Sequence, residues 1–380
     1  MKKTFVTIFE KLQNVHLTKD VGQIPYFMHS KFGYHAKLVG HRFDEEYPYL
    51  STEVKGLDLV LLPKLKIGRI SVSIIFYILS NAKKIDVLNL YHHATKTYFY
   101  IWLYKLLNPK GIVYLKSDIV AIGLNEYKSF VNPKYKIRNY FLNRVIPDID
   151  IISMETEYTF DMINGIYSKY KDKFLYLPNG LNIDAAYRYA KPKDYMNKEN
   201  IIITVGRLGT HQKNNEVLLE AISKIDLQDW TVYMIGTVET KFNNYINEYY
   251  TKFPHLRHKV IFTGNIEDKK QLYNFYNRSK IFCLTSRDES FGLVYVEALA
   301  YGNFILSTDV GAIHDITDNQ KYGKIINGSD DLSVELVNII NNDLLSKHYQ
   351  DSIDFAQKKF NWFNIIDTLE KQIKHVRKKD

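Results

Sequence analysis

A chain of 380 residues with 46% hydrophobic and 24% charged content is long enough for two or three domains and has the composition of an ordinary globular protein. Its single cysteine, Cys283, set in the apolar run IFCL, excludes a disulfide framework, points to a reducing compartment and reads as a core residue. The net charge of +9 lies in one half: residues 1–180 hold 25 Lys/Arg against 16 Asp/Glu, and residues 181–380 hold 26 of each, so the first half either faces an anionic partner or carries scattered surface lysines.

The N-terminal MKKTFVTIFEKLQNV breaks its apolar run at Glu10 and Lys11, too early for a signal peptide or a membrane span. That run, TFVTIF (4–9), opens a series of short β-branched stretches. AKLVGH (36–41), DLVLLP (58–63), DVLNLY (86–91), GIVYLK (111–116), DIISM (150–154) and FLYLP (174–178) follow in the first half. IIITVG (201–206), TVYMIG (231–236), KVIFTG (259–264), KIFCLT (280–285) and NFILST (303–308) follow in the second. The most hydrophobic window, SVSIIFYILS (71–80), is shorter than the ~20 residues a membrane span takes and reads as a buried helix. Between the runs lies helical spacing, as in Val217, Leu218, Leu219, Ala221, Ile222 and Ile225. Non-alternating apolar strands separated by helices predict parallel sheets covered on both faces.

Twelve strands are too many for one sheet, so an α/β fold of two doubly wound domains is expected, 1–180 and 181–355. The aperiodic segment 179–200, with Pro192, reads as the linker. The last helix, roughly 350–378, extends past the last predicted strand, and residues 356–380 are expected to cross back to the first domain.

In open α/β sheets ligands bind beyond the carboxyl ends of the strands. After IIITV, Gly206 permits a tight turn and Arg207 and Lys213 supply cations for a phosphate. After KIFCLT, Ser290 is placed to cap a helix, and Gly292 lets a ligand approach the backbone. A charged hydrogen bond contributes roughly 1.5–3 kcal/mol and a helix terminus roughly 0.3–1, so the two cations should outweigh any single backbone amide. Glu289 precedes that helix and Glu297 lies inside it. Either alone is explained as an ordinary helix-associated acid, but together they suit the paired hydroxyls of sugars.

The stretch ESFGLVYVEALA (289–300) resembles the E-x7-E motif of retaining family-4 glycosyltransferases, of the group 1 glycosyl transferases, which have the GT-B fold. GRLGTHQKNNEVLLEAI (206–222), LPNGLNID (177–184), VIFTGNI (260–266) and STDVGAIHDI (307–316) are similar to further segments of that family, in its order and spacing. The resemblance covers about 177–330. It implies two Rossmann-like domains facing across a cleft, and a donor diphosphate held by Arg207 and Lys213. It also implies a nucleotide ribose held by Glu297 and a transferred sugar contacted by Glu289. Backbone around Gly206, Ser290, Phe291, Gly292 and Leu293 would line sugar and phosphate, with Gly264, Asn265 and Ile266 beside the base. Ala312 and Asp315 depart from the family's late loop, so Gly311 and Asp315 receive no role.

The first half matches more loosely. Gly22, in NVHLTKDVGQIPYFM (14–28), is expected near the donor or as part of a plain turn. Lys116 and Asp118, in YLKSDI (114–119), and His92 are the candidates for an acceptor. YKSFVNPKYKIRNYFLNR (127–144) interleaves basic and aromatic residues, which suits an anionic membrane surface. Nucleic acid would show a similar pattern, but no nucleic-acid motif accompanies it. Asp148-Ile149-Asp150 has a D-x-D pattern, but it falls at a strand entrance, opposite the ligand end.

The expectation is thus a retaining hexosyltransferase, cytoplasmic or peripheral at the inner membrane face. It would move a sugar, a UDP-sugar favoured as donor, to a glycan or lipid-linked glycan in surface polysaccharide or glycoconjugate synthesis, without cofactor or metal. A NAD-dependent oxidoreductase would need G-x-G-x-x-G after a strand, which is absent. Two alternatives are a non-hydrolysing sugar-nucleotide epimerase of the same architecture and a non-catalytic sugar-binding partner subunit.

Overall fold

The computed structural model describes residues 2–117, 144–342 and 344–379. The chain divides into two compact units, one of Met1–Asn182 with Asn361–Asp380 and the other of Ile183–Phe360. Each is built on one parallel sheet with a Rossmann-like strand order.

The first unit runs β1 (Thr4–Leu12), β2 (His35–Arg42), β3 (Asp58–Leu62), a small antiparallel hairpin of β4 (Lys66–Ile67) and β5 (Ile70–Ser71), then β6 (Val87–Tyr91), β7 (Ile112–Lys116), β8 (Ile151–Met154) and β9 (Phe174–Tyr176). Its seven-stranded sheet has the order β3-β2-β1-β6-β7-β8-β9, with every pairing parallel. The central strands β6 and β7 are buried at all five positions each, which is why their sequences lack alternation. On one face lie the helices Val72–Asn81 and Thr95–Leu107, whose Ile74, Ile78, Ile101 and Tyr104 enter the core. On the other lie Asp20–Phe32 and the C-terminal Trp362–Lys379, which contributes Trp362, Ile366, Leu369 and Ile373. Lys31 pairs with Asp367 (2.8 Å) across these two helices, and Tyr34, just past the end of the first, donates its OH to Glu370 Oε2 (2.9 Å) of the second.

The second unit holds β10 (Glu199–Val205), β11 (Thr231–Ile235), β12 (Val260–Gly264), β13 (Ser279–Leu284), β14 (Phe304–Ser307) and β15 (Gly323–Ile325) in the order β12-β11-β10-β13-β14-β15, all parallel. In both sheets the chain order reverses beside the first strand, at β1/β6 and at β10/β13. Those switch points open crevices at the carboxyl ends of the strands.

Several expectations need correction. β15 and the β4–β5 hairpin are too short to stand out as apolar runs. The expected linker contains a helix, Ile183–Tyr189, whose Ile183, Ala185 and Ala186 are buried. The expected single last helix is two, Tyr349–Phe360 and Trp362–Lys379. They break at Asn361, whose side-chain oxygen accepts the Phe363 N–H at 3.1 Å and starts the second. The expected buried helix Val72–Asn81 is amphipathic, with Phe76 and Leu79 facing out. Asp150 does sit at the strand entrance, where its carboxylate accepts Val113 N–H at 2.7 Å and pairs with Lys105 at 2.7 Å. Cys283 is fully buried, which pushes its thiol up to about 12.

Candidate active site

Three glycines stand at the carboxyl ends of the adjacent strands β10, β11 and β12. Gly206 N–H donates to Ile235 O and Gly236 N–H to Gly264 O, each at 2.9 Å, so the strand ladder continues into the loops. Gly236 has φ +141°, and a Cβ there would lie 1.7 Å from Gly206 O. Only a residue without a side chain lets these two backbones meet.

The loop that follows Gly206 is held from below and from the side. Leu208 N–H donates to Thr237 O (2.8 Å), and Gly209 N–H donates to the buried Asn215 Oδ1 (2.8 Å). This folding returns the Lys213 side chain over Gly206, where an added Cβ would meet Lys213 Cε at 3.2 Å. Lys213 Nζ then reaches Glu289 Oε1 at 2.5 Å, and Ser286 Oγ donates to the same oxygen at 2.8 Å. The pair is largely buried, with side-chain exposures of 13% and 10%. The two loops are stitched by Arg287, which donates through Nε to His211 O (3.1 Å) and through Nη2 to Asn214 Oδ1 (2.6 Å). Arg207 stands apart as an exposed cation, within 3.4 Å of Gln212 Oε1.

The helix Leu293–Ala300 begins at Gly292, which has φ +86° and approaches the Tyr295 ring so closely that a Cβ would lie 2.5 Å from it. Ser290 does not cap this helix, because Gly292 occupies the cap position and the side chain of Ser290 is exposed. Phe291 is buried against Phe360, and Leu293 is half-buried in the first turn. Glu297 is half-buried and its Oε2 accepts Tyr276 OH at 2.8 Å. Tyr276 is fully buried, and burial, with the neighbouring Glu297 carboxylate, drives its hydroxyl far up from ordinary phenol behaviour, so it stays a donor. Gly264 (φ +73°) has open space beside it, with Asn265 exposed and Ile266 half-buried at the edge of the sheet.

Gly311, to which the sequence lends no role, lies under the Glu289 loop. At φ +59°, a Cβ would be 3.0 Å from Glu289 Cβ and 3.2 Å from Phe291 O. Sequence reasoning also passed over Ser286, Tyr276 and Gly236. The first is legible as a Ser three residues before a Glu. The other two have no local signature.

In the first unit the candidates disperse. Gly22 lies in the first turn of Asp20–Phe32 with its Cα pressed on Leu17, whose Cα and O would be 2.5 Å from a Cβ. That is packing of the chain on itself. Lys116 turns inward: its Nζ donates to Glu155 Oε1 (3.0 Å) and Leu177 O (3.4 Å), and the side chain is 1% exposed. Burial raises both Glu155 and Asp20 from the usual carboxylate range, and Lys116 opposes the rise in each. His92 is exposed, with φ +64°. Asp118 and most of the basic-aromatic stretch 127–144 lie outside the described residues.

Residues 189–359 match the family model described as Glycosyl transferases group 1. A probable sucrose-phosphate synthase of Thermosipho melanesiensis is 26% identical over 211 residues, covering 55% of this chain and 49% of the relative, so this chain spans about half of that relative's length. A protein from Klebsiella pneumoniae, described as an uncharacterized 41.2 kDa protein in cps region, is 24% identical over 295 residues, covering 75% of this chain and 77% of its own. Among solved structures, Anabaena HepE in complex with UDP superposes with a TM-score of 0.72 at 14% identity, covering 99% of this chain and 100% of that one. HepE has also been solved in complex with UDP-glucose. At that identity the likeness shows the fold, the GT-B architecture of two Rossmann-like halves. The family model thus falls on the second unit, where the pairing of β10 with β13 brings Lys213 to Glu289, and it is this unit that is similar to the glycosyl transferases group 1 family.

Proposed function

We propose that the chain is a retaining glycosyltransferase that moves a sugar from a nucleotide-sugar, a UDP-sugar first, to a glycan or lipid-linked glycan acceptor in bacterial surface polysaccharide or glycoconjugate synthesis. The observation that carries the proposal is the joining of Lys213, Glu289 and Ser286 at the β10/β13 switch point, Lys213 coming from a loop that also carries the exposed Arg207. The complexes of HepE with UDP and UDP-glucose support the choice of donor.

In this reading Arg207 and Lys213 bind the diphosphate, at roughly 1.5–3 kcal/mol for each charged hydrogen bond. Glu289 has Lys213 and Ser286 on Oε1, so its other oxygen accepts a hydroxyl of the transferred sugar. Glu297, held through Oε2 by Tyr276, accepts from the ribose. As the glycosidic bond breaks, negative charge grows on the leaving diphosphate, and the two cations stabilise it where it develops. The acceptor hydroxyl attacks the anomeric carbon from the leaving-group side, and the departing phosphate takes its proton. The charge balance is met by side chains of the protein, so the reaction is proposed to need no metal. The acceptor is assigned to the basic first half.

The test is thermal stability against UDP-, GDP- and ADP-sugars, with and without magnesium. A ligand at ~100 times its Kd stabilises by about 2.7 kcal/mol. A shift with one nucleotide, unchanged by magnesium and weakened in Arg207→Ala, is expected. No shift with any of them at millimolar concentration would favour a non-catalytic subunit. Turnover of UDP-GlcNAc without an acceptor would favour an epimerase.

A further inference from the structure

The helices Val72–Asn81 and Thr95–Leu107 lie side by side on one face of the first sheet and run in the same direction. Hydrogen bonds pin them at both ends. Tyr100 OH accepts Ser71 N–H at 2.9 Å near one end, and Asn108 Nδ2 donates to Ala82 O at 2.9 Å at the other. Phe76 and Leu79 therefore stand at the heights of Trp102 and Leu106. All four point away from the core, with exposures of 61%, 48%, 51% and 63%. Phe99 backs Trp102, their ring centroids 5.7 Å apart. Single exposed apolar residues need no explanation, but four large ones on neighbouring helices form a patch that does.

The charges around the patch say what covers it. Lys83 and Lys84 follow the first helix and Lys110 follows the second, all exposed. Among the described acids near that end, Asp86 is engaged by Thr4 N–H at 2.7 Å and Asp150 by Lys105 at 2.7 Å. The hairpin that leads into the first helix adds exposed Leu65 and Ile67. Residues 1–180 carry the protein's whole excess of +9. Two copies of so basic a half would repel each other face to face, whereas an apolar face rimmed by lysines matches an anionic bilayer surface: rings and leucines among the acyl chains, ammonium groups at the headgroups.

We propose that this two-helix face is a membrane-docking surface that seats the first unit on anionic lipid. It uses no residue of the 127–144 stretch, and it does not depend on the donor chemistry proposed above. Vesicle binding and nucleotide binding are separate readouts, so either can fail alone.

The full chain is sedimented with vesicles of phosphatidylcholine alone and with equimolar phosphatidylglycerol. Trp230 and Trp362 are buried, so the emission of Trp102 reports contact directly. Binding to the mixed vesicles only, weakening with salt and shifting tryptophan emission to the blue, is the expected result. Phe76→Ser with Leu106→Ser should lower vesicle affinity about tenfold or more while leaving the melting curve and the nucleotide-induced shift unchanged. Lys83→Glu with Lys84→Glu should lower it as well. Absence of binding to mixed vesicles would overturn the proposal, as would binding indifferent to both double variants. A dimer in sedimentation velocity that the serine variant dissolves, with no vesicle binding, would assign the face to a second copy instead.

Discussion

Tyr276 allows the proposed role of Glu297 in UDP binding to be tested without touching Glu297. Its ring is fully buried, stacked on Tyr301 (6.4 Å, 11°) and Phe282 (6.0 Å, 30°). Its carbonyl is held by Asn303 Nδ2 at 3.0 Å and Lys198 Nζ at 3.4 Å. Phe at this position keeps the ring and the helix end in place and removes only the 2.8 Å bond to Glu297. A hydrogen bond to a charged acceptor contributes about 1.5–3 kcal/mol, and water reaching the half-buried carboxylate recovers part, leaving about 1–2 kcal/mol. At 1.4 kcal/mol per tenfold, a carboxylate freed to wander should weaken UDP binding about five- to thirtyfold. Calorimetric titration of the wild type, Tyr276→Phe, Glu297→Gln and the double variant measures this as a coupling energy, expected near 1 kcal/mol. A coupling within about 0.3 kcal/mol of zero would refute the reasoning, since the two groups would then act independently.

Four further outcomes follow from the geometry. Gly236→Ala should destabilise the second unit by about 3 kcal/mol or more in chemical unfolding, because its Cβ would enter Gly206 O. Gly264→Ala, with open space around it, should cost only about 1 kcal/mol from its left-handed backbone. Burial, with Lys193 and Lys280 nearby, holds the Lys198 ammonium well below the usual 10.5. The folded chain therefore releases this proton before the unfolded chain does, so stability rises with pH in the window below 10.5. Unfolding measured between about pH 7 and 9.5 should lose that slope in Lys198→Met; an unchanged slope would remove Lys198 as its source. Lys116→Met should cost about 3–5 kcal/mol, because it strips the cation from buried Glu155, and adding Glu155→Gln should restore part of the loss.

The second unit was more legible than the first because parallel topology keeps its chemistry local there. Arg207 and Lys213 follow one strand end, and Glu289 and Glu297 follow the neighbour that the switch point sets beside it. A single loop–helix stretch thus carries most of the candidate site, and Lys213 meets Glu289 because β10 pairs with β13. What stayed hidden are contacts made across elements. Tyr276 reaches Glu297 over the whole of β13, and no spacing announces it. Lys116, read as an acceptor contact from its place after a strand, finds Glu155 at the end of the next strand and turns inward.

The helix Val72–Asn81 shows the same limit from the other side. In a run as apolar as VSIIFYIL, periodicity cannot tell a buried helix from one that keeps an outward face, since both read as continuous hydrophobicity. Only the neighbouring helix, with its own outward Trp102 and Leu106, shows that Phe76 and Leu79 belong to a surface. A two-sided helix over a sheet buries one face by necessity. The apolar residues on its other face add nothing to that core, and must be explained by what the protein meets outside it.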